Sequence, residues 1–305
     1  METKTNLILS GGGIKGIAFI GALHELNQLK YLYDGDILKF KNISATSAGS
    51  IIGSLLAIGY KPNEIEEIIN NIDFQNLIDD QYGFVRDCYH FLFNYGYAQG
   101  NILYDLLGEL IFKKTGNADY TLKDLYNEKN IQLVITGTNL NEKKTIYFYH
   151  THINPLYANL PIRLCIRISM SIPFVFQPYY YNDCYFADGG VLDSYPIDCF
   201  DGNEPDDPNA KYGNTLPNLK TLGLKITTNA ENEKLIINNL YQYSSAYIET
   251  FLNENDKKML LPENKERTIF INTKSYPLSK FDLTFIEKSE LIEQGRNAVK
   301  AYCGL

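Results

Sequence analysis

The chain has 305 residues and no tryptophan, while tyrosine, asparagine, isoleucine and lysine abound, a bias we attribute to base composition and not to function. It has no apolar run long enough to span a bilayer: the longest stretch, Ile51 to Ile58, falls well short. Leu7–Leu9 is too short for the apolar region of a signal peptide. The expectation is a cytoplasmic protein that meets membranes only peripherally. Clustered Lys and Arg are missing too. The net charge is -8 and spread along the chain, which argues against nucleic acid as a partner and against docking on anionic lipid through a basic patch. The five cysteines (Cys88, Cys165, Cys184, Cys199 and Cys303) form no C-x-x-C pair and stand at no zinc-ligand spacing from a histidine. They read as reduced thiols, so neither a disulfide framework nor a metal site is expected. No internal repeat and no linker breaks the chain. Residues 1–305 are expected to form a single domain with a polar surface-loop insertion at about 201–218. Nothing signals an oligomeric state.

Hydrophobic residues make up 45% of the chain, enough for a large core. Leu7–Ser10 reads as a buried strand entering a glycine turn, and Ile14 to Leu29 as a helix. A second strand near Ile43–Thr46 runs into a small-residue helix, Ala48 to Ile58. Strand, sharp turn and helix thus recur in the same order, which predicts an α/β fold with a mostly parallel sheet. Further along, Leu103–Phe112 and Pro161–Ser169 read as helices, and Ile131–Thr136 with Thr145–Tyr149 as paired strands. Tyr185–Ala187, Leu222–Ile226 and Thr268–Asn272 read as strands, and Lys234–Leu252 as an amphipathic helix. Thr284-Phe285-Ile286-Glu287 is a capping box opening a last helix to about Tyr302.

Three segments carry chemistry. Gly11-Gly12-Gly13-Ile14-Lys15-Gly16 follows a strand and opens a helix, so consecutive backbone N–H groups can face an anion. The same spacing fits a dinucleotide-binding loop, with Asp34 and Asp36 about twenty residues on. Asp34-Gly35-Asp36, however, reads as a loop, not as the end of a second strand. A phosphate-binding P-loop is excluded because Lys15 precedes Gly16 instead of following it. Ala45-Thr46-Ser47-Ala48-Gly49 has the shape of a nucleophile elbow, with Ala45 for the first glycine. Small neighbours leave room for a strained turn, and the helix from Ala48 points its positive end at Ser47. Taken alone, a serine here is more often a helix N-cap. Ala187-Asp188-Gly189-Gly190 is by itself a turn signal. Beside an activated serine it presents a carboxylate base.

A histidine triad fits poorly. His24, His90, His150 and His152 all precede Asp188, so the order Ser, Asp188, His does not exist. An earlier acid such as Asp119 with His150 or His152 stays open at this level.

In their order, the three motifs resemble the patatin-like phospholipase family: an oxyanion loop at Gly11–Gly16, an elbow at Ser47, and a distal Asp-Gly-Gly at Asp188–Gly190. Ser169-Met170-Ser171-Ile172-Pro173, Phe176, Pro178 and Leu291–Gly295 extend the likeness over most of the chain. The resemblance implies a three-layer α/β/α sandwich with a mostly parallel central sheet. It implies a lipid acyl hydrolase of the phospholipase A type, acting on phospholipid or another acyl lipid without cofactor or metal. Ser47 would be the nucleophile and Asp188 the general base. Gly11, Gly12 and Gly13 would form the oxyanion hole, and Lys15, Gly16, Ala48, Gly49, Gly189 and Gly190 would support them. The sequence departs from the family pattern at Ala45, where glycine is usual, and at Ser10, where some relatives carry Asp. The rival readings are a nucleotide-cofactor oxidoreductase using Gly11–Gly16 and a catalytically inactive lipid-binding relative. Direct proton transfer from serine to Asp188 requires a desolvated carboxylate. The aromatic segments Phe84–Tyr97 and Phe174–Tyr181 are candidates to bury it, and to wall an acyl site.

Overall fold

The computed structural model describes residues 4–77, 95–202, 216–228, 237–238, 242–243, 246–247, 250, 261–273, 276 and 280–305. Most of the aromatic segment 84–97, the loop 203–215, most of the helix expected at Lys234–Leu252, Cys88 and His90 lie outside them.

The central sheet has eight strands. They are β1 (Asn6–Leu9), β2 (Asn42–Ala45), β3 (Gln132–Asn139), β4 (Lys144–Phe148), β5 (Tyr179–Tyr181), β6 (Cys184–Asp188), β7 (Thr221–Thr228) and β8 (Thr268–Thr273). Their order is β8-β7-β1-β2-β3-β6-β5, with β4 also paired to β3. From β8 to β3 every pairing is parallel, while β6, β5 and β4 join antiparallel. The mostly parallel sheet expected from the sequence is therefore present, with an antiparallel margin on one side.

Side chains alternate across the strands, as a pleated sheet requires. Leu7 and Leu9 enter the large core, and Ile8 enters a smaller one on the opposite face with Val134, Tyr147 and Tyr195. The large core is closed by α1 (Ala18–Gln28), α2 (Ala48–Ile58), α3 (Pro62–Asn71), α4 (Asn101–Thr115), α5 (Ile162–Ser169) and α6 (Phe285–Cys303). The second face is covered, among the described residues, by the chain after Gly190, with Tyr195, Ile197 and Cys199 buried against the sheet. Among the described residues that outer layer of the sandwich is the thinner one. α6 starts at the expected box: Thr284 Oγ1 accepts from Glu287 N, and Glu287 bonds back to Thr284 N. Outside the sheet, Gly96–Ala98 pairs with Phe174–Phe176 as a small parallel ribbon.

α1 and α6 cross with their backbones in close contact, which Gly21 and Gly295 permit. A Cβ on Gly21 would lie 1.7 Å from the Ile292 carbonyl oxygen, and one on Gly295 would lie 1.9 Å from that of Ala18. Neither overlap involves a flexible side chain, so the helices would have to part. Gly21→Ala and Gly295→Ala are each expected to destabilise the fold by about 3 kcal/mol or more, measured by urea unfolding. A loss under about 0.5 kcal/mol would mean the crossing is loose.

Candidate active site

Register brings the candidate residues together. Ala45 at the end of β2 aligns with Ile135 of β3, and Asp188 at the end of β6 aligns with Gly137. Ser47, two residues past Ala45, therefore reaches the same level of the sheet as Asp188. Ser47 Oγ donates to Asp188 Oδ2 at 2.6 Å. Both residues are only 4% exposed.

Ser47 sits on a strained turn, with φ 52° and ψ −126°, which an L-residue adopts only at a cost of order 1–3 kcal/mol. Its surroundings hold it there. The Ser47 N–H donates to Ser169 Oγ at 2.8 Å, and Ser50 Oγ donates to the Ser47 carbonyl. Gly49 allows the turn to lie against β1, since a Cβ there would be 2.5 Å from the Ser10 carbonyl oxygen. Thr46 accepts from Thr136 Oγ1 and donates to the Asp193 carbonyl. Ala45 is fully buried and fits the elbow without a glycine.

Asp188 receives a second hydrogen bond, from Gly190 N to Oδ1 at 2.7 Å. Its own N–H donates to the Ser171 carbonyl, and its carbonyl accepts from Thr138 Oγ1. Gly189 permits the approach to β3, since a Cβ there would be 2.1 Å from Thr136 Oγ1. Burial pushes the carboxyl up from the usual range to about 7, against the two hydrogen bonds that lower it.

The glycine loop is narrower in donors than expected. Gly11 N already donates to the Ser194 carbonyl at 2.8 Å, so it has no hydrogen to offer an oxyanion. Gly12 and Gly13 differ in this respect. Both precede the short 3-10 turn Gly13–Ile17 or open it, and their N–H groups have no acceptor among the described residues. Gly13 takes φ 52°. Gly16 lets the turn pass Ala48, whose Cβ would be 2.7 Å from a Cβ at position 16. Lys15 turns to Thr228 Oγ1 at 3.3 Å. Ser10, where some relatives of the resembling family carry Asp, bridges locally: it donates to the Gly11 carbonyl and accepts from Ile226 N.

The remaining candidates lie elsewhere. Asp34 and Asp36 are exposed on a two-residue hairpin, Tyr33–Asp34 with Ile37–Leu38, and not at the end of β2 where a dinucleotide ribose would need them. Asp119 is engaged by Arg163, His150 stacks on Tyr126, His152 accepts from Asn154 N, and His24 pairs with Glu66. Among the described residues no group of His, Cys, Asp and Glu suits a metal ion.

An apolar cleft begins beside the pair. It encloses about 670 Å³, counting the space open to solvent, and Gly13, Ala48 and Met170 form its near end. Met170 Sδ is 3.8 Å from Ser47 Oγ. Of the aromatic residues expected to wall such a site, Phe176 does so, and Phe174 is exposed. The rest of the apolar wall includes Ile14 and Ile17 of the 3-10 turn, Ile51 and Ile52 of α2, Ile69 of α3, Leu103 of α4, and Phe74 and Leu77 of a four-residue helix. Sequence reasoning also missed Ser169 and the Ser171 and Ser194 carbonyls as partners of the site. Ser169-Met170-Ser171 was visible as a likeness, but its contacts were not.

A family model described as patatin-like phospholipase matches residues 7–201. Protein R571 of Acanthamoeba polyphaga mimivirus is 32% identical over 97% of this chain and 92% of its own. The probable lipid hydrolase 463L of Invertebrate iridescent virus 6 is 31% identical over 63% of this chain and 61% of its own. Among solved structures, VipD from Legionella pneumophila matches 99% of this chain and 67% of its own, with a TM-score of 0.66 at 16% identity, a likeness of fold.

The elevated Asp188 carboxyl makes stability depend on pH. The unfolded chain loses this proton near 3.8, the folded chain near 7, so between them the native state binds more protons and loses stability as pH rises. Asp188→Asn removes that loss. Its urea-unfolding free energy relative to wild type should improve by on the order of a few kcal/mol between pH 4 and pH 8. A difference that does not change with pH would show that the carboxyl is not held neutral.

Proposed function

The chain belongs to the patatin-like phospholipase family, whose members are lipid acyl hydrolases, and on that premise we propose that it cleaves fatty-acyl esters of phospholipids through a Ser47–Asp188 dyad. The observation that carries this reading is the 2.6 Å hydrogen bond from a strained, buried serine to a buried carboxylate, made without a histidine. Ser47 Oγ attacks the ester carbonyl while its proton passes to Asp188. The tetrahedral oxyanion accepts from the Gly12 and Gly13 N–H groups, each worth roughly 3 kcal/mol of barrier. Collapse breaks the bond to the alcohol oxygen, which leaves as the lysolipid with the proton that Asp188 returns. Water then attacks the acyl-serine, again giving its proton to Asp188, and the fatty acid departs with Ser47 restored.

Asp188 acts as a base only when ionised, and burial supplies the basicity that an ordinary aspartate lacks. The apolar cleft receives the acyl chain. Substrate is met at a lipid surface; no helix among the described residues is long and apolar enough to cross a membrane. We read residues 1–305 as one domain, because β7, β8 and α6, which follow the matched segment, complete the same sheet and core.

Two measurements test the proposal. A fluorescent fluorophosphonate should label wild type, and fatty-acid release from phospholipid vesicles should fall at least about a thousand-fold in Ser47→Ala and Asp188→Asn. A folded wild-type chain that neither labels nor releases fatty acid would favour the inactive lipid-binding reading. In addition, kcat/KM should rise with pH to a plateau above about 7, where Asp188 is ionised. A profile flat from pH 5 to 9 would remove Asp188 from the role of base.

A further inference from the structure

We infer that Lys288 is a positioning residue that sets the acyl-chain length this site accepts, by holding the far wall of the apolar cleft. The inference rests on the acyl-hydrolase reading for the identity of the occupant. Its geometry begins at α3, which ends at Asn71 without glycine; the capping residue Ile72 is extended, with φ −79° and ψ 127°. The last carbonyls of such a helix need donors from elsewhere. Lys288 supplies them from α6, a distant part of the chain. Its Nζ lies 3.0 Å from the Ile69 carbonyl, 2.9 Å from that of Ile72 and 3.5 Å from that of Asn70. Three carbonyls face an ammonium that has three N–H donors, and the positive charge stands at the negative end of the helix. Lys288 is 6% exposed, and these contacts offset part of the cost of burying its charge. Nζ also lies 4.9 Å from the centroid of the Phe74 ring.

The segment so pinned is part of the cleft: Ile69, Phe74 and Leu77 line it. The near end, at Ala48 and Met170, belongs to the elbow side, whereas the hydrogen bonds of Lys288 go to α3 and Ile72. On this inference a butyryl chain bound at Ser47 stays at the near end, whereas a palmitoyl chain extends to the wall that Lys288 holds. Each methylene kept out of water there is worth about fourfold in affinity. Loosening the wall therefore penalises long chains and spares short ones.

The test uses the intact chain, Lys288→Met and Lys288→Arg, each checked for folding by its unfolding transition. Displacement of a fluorescent fatty acid by octanoate and palmitate reads the cleft without any turnover. Steady-state kcat and KM for butyryl and palmitoyl p-nitrophenyl esters read selectivity. Lys288→Met should weaken palmitate at least tenfold and raise KM for the palmitoyl ester. It should leave the butyryl kcat/KM within twofold, and Lys288→Arg should restore most of the loss. Palmitate binding unchanged in folded Lys288→Met, or equal losses on both esters, would overturn the inference. If wild type cleaves neither ester but binds palmitate, the acyl-hydrolase reading falls, while the palmitate arm still decides the role of Lys288.

Discussion

The contact between Ser47 Oγ and Asp188 Oδ2 exists because two strands of opposite direction end at one level of the same sheet. β2 runs parallel to β3, and β6 runs antiparallel to it, so β3 is the ruler against which both residues are placed. A slip of one residue in β6 would turn Asp188 to the other face of the sheet. The register is locked by polar contacts at its most sensitive point. Thr136 Oγ1 donates to Thr46 Oγ1, Thr138 Oγ1 donates to the Asp188 carbonyl, and Gly189 lies against Thr136. The segment after Asp188 then returns across both turns: the Asp193 carbonyl accepts from Thr46 and the Ser194 carbonyl from Gly11. The Asp193 carboxylate is itself fixed by the buried hydroxyl of Tyr147. One loop therefore ties the elbow, the glycine turn and the aspartate strand into a unit.

That unit is assembled against local preference. Ser47 occupies a backbone region that costs energy, and Asp188 is a carboxyl in a place that disfavours its charge. Neither would persist on a flexible loop. Both stand at the ends of strands whose neighbours are fully buried: Leu7, Leu9, Ile43, Ala45, Ile135 and Phe186. The core beneath the site offsets the strain, and on the acyl-hydrolase reading the strained residues gain the rigidity that an oriented nucleophile requires.

The sequence disclosed the order of elements because period, glycine punctuation and capping agreed with one another. α2 spans Ala48–Ile58 as read, and α6 opens at the Thr284 box. It also disclosed the pairing of Ser47 with Asp188, but only through the combination of motifs, since each alone was a turn or a cap. Contacts made by backbone atoms across long separations were hidden. Nothing in residues 11–16 tells that Gly11 N is taken by Ser194, and nothing near Ile72 tells that its carbonyl is capped by a lysine more than two hundred residues on. The apolar wall was hidden for a related reason. Aromatic density drew attention to 174–181 and to 84–97, most of which lies outside the described residues, whereas the described lining also takes aliphatic side chains from helices, such as Ile51, Ile69 and Leu103. Those positions are indistinguishable from core in a linear pattern.

The cleft and the dyad also depend on each other chemically. Asp188 serves as base, on the acyl-hydrolase reading, because burial raises its basicity, and the cleft begins beside it at Met170 and Ala48. On the acyl-hydrolase reading, an acyl chain in that cleft does two things at once. It brings the ester carbonyl to Ser47, and it replaces water beside the carboxylate with hydrocarbon, which strengthens the electrostatic work of the Gly12 and Gly13 amides. A short ester brings the carbonyl without the exclusion of water. A preference for long chains would then arise from the chemical step as well as from binding, because a dyad without histidine relies on desolvation for the basicity that an imidazole supplies by its nature.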